Sequence, residues 1–211
     1  MTEIIPAIIA QDFKELQDKI NLVEFCVDWV QIDVIVGIFV TSLNWNNPSE
    51  IKNLKTQINI EVHLMIDQPE LVIDSWINSG AKRILVHYES TKKLDEVIDK
   101  IKKAGLEVGI VLKMETPIEV LDNFIDKIDV IQLMGIVEIG FYGQPFDHRV
   151  LKKISTLRKI YPNVIIEIDG GVTLEKAEAL VKAGVNRLVA GSAIFKSNDI
   201  KETIEKLRVK S

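Results

Sequence analysis

Eight short runs rich in Ile and Val recur along the chain, each separated from the next by a longer stretch, and no linker interrupts the alternation. The runs are Ile4–Ala10, Trp29–Val34, Ile60–Met65, Arg83–His87, Glu107–Leu112, Val130–Met134, Ile165–Asp169 and Arg187–Ala190. Most are continuously apolar, the pattern of parallel strands covered on both faces. The stretches between them carry a helical period. Leu94, Val97, Ile98 and Ile101 recur at spacings of three and four, with Asp95, Glu96, Asp99, Lys100, Lys102 and Lys103 opposite and Gly105 as a stop. Leu174–Ala183, closed by Gly184, repeats the design. About eight βα units in 211 residues predict one α/β domain over residues 1–211, a single (β/α)8 TIM barrel. A doubly wound open sheet is the alternative that periodicity leaves open.

Composition narrows what such a chain binds. Against 31 Asp plus Glu stand 26 Lys plus Arg, a formal charge of −5, so the chain lacks the basic excess that displaces counterions from nucleic acid. With 47 % hydrophobic and 27 % charged residues it is globular in make-up, not disordered. No apolar run approaches the roughly 18 residues of a membrane helix. The first six residues lack the basic and apolar regions of a signal peptide, and the lone Cys26 allows no intrachain disulfide. The expected setting is the cytoplasm, with no nucleic acid and no membrane as partner. Oligomeric state is not legible, and a homo-oligomer is compatible with everything above.

In a barrel of this type chemistry gathers where strands end and βα loops begin. Polar residues stand at or near several of those ends: Gln31 and Asp33, His63, His87, Asp169, then Gly191 and Ser192. Any one of them is as readily a satisfied core group, but together they point to one rim. Two glycine turns follow the last two strands. Asp169-Gly170-Gly171 leads into a helix, and Gly191-Ser192 opens a short segment ending at Phe195. Bare backbone N–H groups at such places suit a phosphate, and barrels commonly hold phosphate there. A third turn, Gly140-Phe141-Tyr142-Gly143-Gln144, follows the sixth strand and could close over the same anion. Glycines that simply permit tight turns are the plain alternative.

Six segments, in order, then carry a resemblance. Residues 5–13 (Ile-Pro-Ala-Ile-Ile-Ala-Gln-Asp-Phe), 31–40 (Gln-Ile-Asp-Val-Ile-Val-Gly-Ile-Phe-Val), 62–65 (Val-His-Leu-Met), 140–144, 167–171 (Glu-Ile-Asp-Gly-Gly) and 189–195 (Val-Ala-Gly-Ser-Ala-Ile-Phe) together resemble the ribulose-phosphate 3-epimerase family. The resemblance implies a (β/α)8 barrel that inverts the carbon beside the carbonyl of a ketose phosphate, of the ribulose 5-phosphate to xylulose 5-phosphate type. It also implies a divalent metal ion, Zn, Mn, Fe or Mg, and a small sugar phosphate as partner. Such a C–H is too weak an acid to ionise unless the enediolate is stabilised, and inversion needs an acid/base group on each face. By resemblance Asp33 and Asp169 are that pair and also metal ligands, with His63 as a further ligand that also touches substrate. Met65 and Met134 match methionines lining the enediolate site, and either is equally well a gap-filler. Gly140, Phe141, Tyr142, Gly143, Gly170, Gly171, Gly191 and Ser192 match the substrate and phosphate turns.

Departures from the family pattern are concentrated in the second strand. Where the pattern reads His-x-Asp-x-Met-Asp-Gly, the chain has Gln31, Asp33, Ile35, Val36 and Gly37, so a histidine ligand becomes an amide. An amide oxygen is a harder and weaker donor than imidazole, so the remaining set leans from Zn²⁺ toward Mn²⁺ or Mg²⁺. Ala7 replaces a serine, Met114 and Ile139 replace prolines, and Tyr142 replaces a glycine. Two further readings follow. One is a barrel that binds a phosphorylated ligand without turnover. The other is a related lyase or decarboxylase, disfavoured because the segment from His63 to Asp67 lacks that group's lysine. His87-Tyr88-Glu89 resembles a family His-x-Glu segment, and a hydrogen-bonded rim pair explains it equally. His148, the three Trp residues and the Lys pairs read as surface or packing.

Overall fold

The computed structural model describes residues 2–37, 39–40, 44–141 and 143–209. Its strands are β1 (Glu3–Ile8), β2 (Trp29–Ile35), β3 (Asn59–Met65), β4 (Arg83–His87), β5 (Glu107–Leu112), β6 (Val130–Met134), β7 (Ile165–Asp169) and β8 (Arg187–Ala190). They pair in parallel in chain order, and β8 returns to β1 through Glu3↔Arg187 and Pro6↔Ala190. That last pairing closes a (β/α)8 barrel and excludes the open sheet. The helices are α1 (Phe13–Val23), α2 (Ile73–Ile77), α3 (Leu94–Lys103), α4 (Arg149–Ile160), α5 (Leu174–Ala183), α6 (Ser192–Phe195) and α7 (Ile200–Leu207). Among the described residues two crossovers, β2 to β3 and β5 to β6, carry 3-10 segments, Pro48–Asn53 and Ile118–Asn123, in place of an α-helix. No helix among the described residues is long and apolar enough to cross a membrane.

Local chemistry explains where elements begin and end. Asp12 caps α1 by accepting the Glu15 N–H at 2.8 Å, and Gly184 ends α5 at φ +118°, a conformation that suits a residue without Cβ. β1 stops at Ile8, short of the predicted Ala10, because the Ala10 carbonyl takes the Trp45 N–H at 2.8 Å instead of a ladder partner.

Strand periodicity of two divides the interior. Outward residues such as Ile32, Val34, Val62, Leu64 and Ile84 pack beneath the helices in the main core. Inward residues form smaller apolar clusters, one with Ile35, Met65, Leu85, Val111 and Met134 and another with Ile5, Ala7 and Val189. Buried polar side chains also occupy inward positions of β2, β3, β4, β6 and β7: Gln31, Asp33, Glu61, His63, Arg83, His87, Gln132, Glu167 and Asp169. Register places Gln31 beside Glu61, Asp33 beside His63, Gln132 beside Glu167 and Met134 beside Asp169.

Near the strand N-termini the polar layer is ionic. Arg83 donates to Glu61, to Glu107 at 2.7 Å and to Glu167 at 3.3 Å, while its guanidinium lies 4.0 Å from the Trp29 ring centroid. Arg187 binds Glu167 at 2.8 Å and Glu3 at 2.6 Å.

Candidate active site

A cavity of about 230 Å³ opens where the strands end. Asp33, Asp169, Met65 and Met134 line it, together with Gly170 and Gly171 after β7 and Gly191 and Ser192 after β8. Gly140, Phe141 and Gly143 of the loop after β6 complete the wall, and Tyr142 lies outside the described residues. Gln31 and His63 do not line the cavity. Both are fully buried beneath the two carboxylates, so His63 stands behind Asp33 and Asp169 and not at the cavity wall.

The four polar side chains converge closely. Gln31 Nε2 donates to Asp33 Oδ1 at 2.7 Å and to Asp169 Oδ2 at 3.0 Å, and lies 3.3 Å from His63 Nδ1. His63 Nδ1 is 3.3 Å from Asp33 Oδ1 and 3.4 Å from Asp169 Oδ2. One ligand atom from each of Asp33, His63 and Asp169 lies within 4.8 Å of the others, a spacing that could hold a metal ion. One imidazole nitrogen with two carboxylates suits a divalent cation in donor type as well. Gln31 is turned the other way: its carbonyl oxygen accepts from Gln132 Nε2 at 2.6 Å, so the amide presents N–H and not oxygen to the cluster.

Burial shapes the charge states. It lifts the Asp33 carboxyl above the ordinary carboxylate range, against the hydrogen bond to His63. Burial works against a charged His63, yet the hydrogen bonds to Asp169 and Asp33 outweigh it and raise the imidazole to about 9. His87 goes the other way, lowered to about 4 chiefly by burial. His87 Nε2 faces His63 Nε2 at 2.9 Å, and its Nδ1 faces Glu89 Oε2 at 3.3 Å. Glu89, held down at about 2 against burial by the hydrogen bond from His87, also accepts the Lys113 N–H at 2.9 Å and the Thr116 hydroxyl. A neutral His87 that donates from Nδ1 to this carboxylate accepts at Nε2. His63 therefore donates from Nε2, which leaves Nδ1 as the atom aimed at Asp33 and Asp169. The rim pair seen in sequence is thus the support of His63.

The turn after β7 depends on its two glycines. Gly170 and Gly171 have φ of +97° and +69°, and a Cβ on Gly170 would lie 2.6 Å from Ile136 Cγ1. Past this turn stand two cavity residues that sequence reasoning did not single out, Thr173 and Lys176. The Thr173 hydroxyl has no partner among the described residues, and Lys176 Nζ sits 5.3 Å from the Phe146 ring centroid. Gln132 was missed too. The available signal was a lone amide within Val130–Met134, a strand otherwise apolar and buried on both faces.

Comparison with known proteins gives consistent results. Residues 3–195 match the model of the Ribulose-phosphate 3 epimerase family. A ribulose-phosphate 3-epimerase of Schizosaccharomyces pombe is 36 % identical over 212 residues, covering 98 % of this chain and 92 % of the relative. One from Bacillus subtilis is 36 % identical over 216 residues, covering 99 % of each. Among solved structures, that of KGPDC from Streptococcus mutans superposes with a TM-score of 0.75 at 13 % identity, covering 99 % of this chain and 96 % of the other. That structural likeness speaks for the fold alone.

Proposed function

The chain belongs to the ribulose-phosphate 3-epimerase family of isomerases, and from that premise we propose that it interconverts ribulose 5-phosphate and xylulose 5-phosphate, with Asp33 and Asp169 as the acid/base pair. The observation that carries this reading is that the two carboxylates share one amide nitrogen, at 2.7 and 3.0 Å, and both line the cavity. An ionised carboxylate takes the proton from the carbon beside the carbonyl, leaving an enediolate. The other, protonated, returns a proton to the opposite face, and the reverse reaction exchanges the roles. Each turnover moves the acidic proton from one carboxyl to the other, and solvent exchange resets the pair.

Asp33, His63 and Asp169 are the residues that would hold a divalent cation. When bound, the cation supplies Lewis-acid stabilisation of the developing oxyanion, worth several kcal/mol. With two carboxylates and one imidazole, the set favours Mn²⁺ or Mg²⁺ relative to a histidine-richer site. Met65 and Met134 cover the reacting carbons with polarizable surface. The phosphate sits among Gly170, Gly171, Gly191 and Ser192, with Gly140, Phe141 and Gly143 on the facing wall. The Thr173 hydroxyl, without a partner among the described residues, and the Lys176 ammonium supply polar and positive contacts on the same wall as the glycine turns.

The test is epimerisation and solvent-deuterium exchange with Mn²⁺ supplied. The parent incorporates deuterium beside the carbonyl, and Asp33→Asn and Asp169→Asn each lose at least about 10³-fold in rate, the scale of a lost general acid or base. Both variants keep a cooperative unfolding transition. A parent that neither epimerises nor exchanges with ribulose or allulose phosphates would overturn the reading in favour of a barrel that binds a phosphorylated ligand without turnover.

A further inference from the structure

We propose that Gln132 sets which end of the Gln31 carboxamide faces the two carboxylates, and thereby how tightly the Asp33–His63–Asp169 cluster takes a divalent cation. The proposal rests on the reading of that cluster as a cation site. Gln31 places an N–H donor where three potential ligand atoms converge, and its oxygen points away, into the Gln132 amide. Gln132 is itself held in one sense. Its nitrogen donates to Gln31 Oε1 at 2.6 Å and makes a longer contact to Glu167 Oε2 at 3.4 Å, while its oxygen has no partner among the described residues.

The two ends of a carboxamide are nearly equal in size, so either side chain can turn over within its space and only the polarity changes. Turning Gln31 alone would set its oxygen against two carboxylates and its NH₂ against the NH₂ of Gln132. Turning both would relieve that second clash but set the Gln132 oxygen against the Glu167 carboxyl, which is anchored by Arg187 at 2.8 Å. Polarity therefore runs up the barrel axis as one chain, from Arg187 and Glu167 through Gln132 to Gln31. Without a cation, N–H is the favourable end at the top, since it bridges two acids. With a cation, oxygen becomes the favourable end, as a fourth ligand. Cation binding has to work against the chain of donors, and Gln132 is the link whose removal frees Gln31 to turn. It is a positioning residue.

The experiment is calorimetric titration of the cation-free protein with Mn²⁺ and Zn²⁺ in the parent, Gln132→Leu, Gln31→Leu, the Gln31→Leu/Gln132→Leu double variant and, as a reference ligand set, Gln31→His. Gln132→Leu should tighten binding by about tenfold, the lower end of effects seen when a ligand's hydrogen-bond partner is changed. In the Gln31→Leu background the same change should have no effect beyond about twofold, because no amide remains to be oriented. Gln132→Met serves if the leucine variant does not fold. In the parent, the side-chain amide proton signals of Gln31 and Gln132 should shift together on adding Zn²⁺, a response that mere packing would not give. Unchanged affinity in both Gln132 variants, while Gln31→His binds cation, would overturn the proposal and leave the cation site standing. If Gln31→His and every other variant fail to bind either ion, the cation site and the proposal fall together.

Discussion

His87 does not line the cavity, yet it decides which nitrogen of His63 faces the carboxylates. Keeping that role requires a neutral ring, and neutrality has a thermodynamic consequence. His87 titrates at 6.5 when unfolded and at about 4 when buried, so between those values the unfolded chain binds more protons. Its contribution is fully present above 6.5 and is lost as pH falls toward 4, a change on the order of 3 kcal/mol. His63 has the opposite sign: raised to about 9, it contributes fully below 6.5, and that contribution is lost as pH rises toward 9. The combined contribution of these two histidines is therefore greatest near pH 6.5, and the His87 part is read as the difference in urea-unfolding stability between the cation-free parent and His87→Gln across pH. In His87→Gln the decline between pH 6.5 and 4 should flatten, and an undiminished decline would show that another group causes it.

At the scale of the element, the turn from β7 to α5 shows which parts of a site are readable in advance. Two adjacent glycines after an Asp and before a helical period are visible in sequence, and Leu174–Ala183 forms with the predicted bounds. The reason is local, because a backbone with two successive positive φ angles admits few residues other than glycine. Gly170→Ala should cost about 2–4 kcal/mol, combining left-handed strain with the encounter at Ile136. It should also raise KM for the sugar phosphate more than it lowers kcat, since the turn bounds the cavity while Asp169 stays in β7. A fall in kcat with KM unchanged would place the turn outside the phosphate site. Thr173 and Lys176 were not legible in the same way, because only the direction in which α5 leaves the barrel brings its first turn to the cavity.

The whole molecule rests on a barrel interior that is ionic at one end and opens into the cavity at the other. Arg83 is fully buried, and its guanidinium faces Glu61, Glu107 and Glu167. Burial pushes the Glu61 carboxyl up to about 8 against the pull of Arg83. Arg83→Met would leave two buried acids short of a cation, and the expected loss is about 3–5 kcal/mol. Adding Glu61→Leu should recover part of it by removing one of those acids. Urea unfolding of the single and double variants checks this. A double variant no more stable than Arg83→Met would mean that Glu61 is adequately compensated without the arginine.

From the sequence alone, the alternation of strand and helix, the positions of β4 to β8 and the approach of Asp33 and Asp169 to strand ends were determined. Each depends on periodicity or turn chemistry within a few residues. Closure was not, because β1 and β8 meet only when the accumulated twist and tilt of the sheet bring its edges together. Nor could the sequence separate the inward from the outward face of strands buried on both, so Arg83 and Gln132 passed as ordinary strand residues. Gln31 and Gln132 stand 101 positions apart, and their contact exists only across the closed barrel. The sequence shows an amide at position 31 beside Asp33, but which end of it meets the carboxylates is decided by groups from other strands, through the electrostatics of a dry interior.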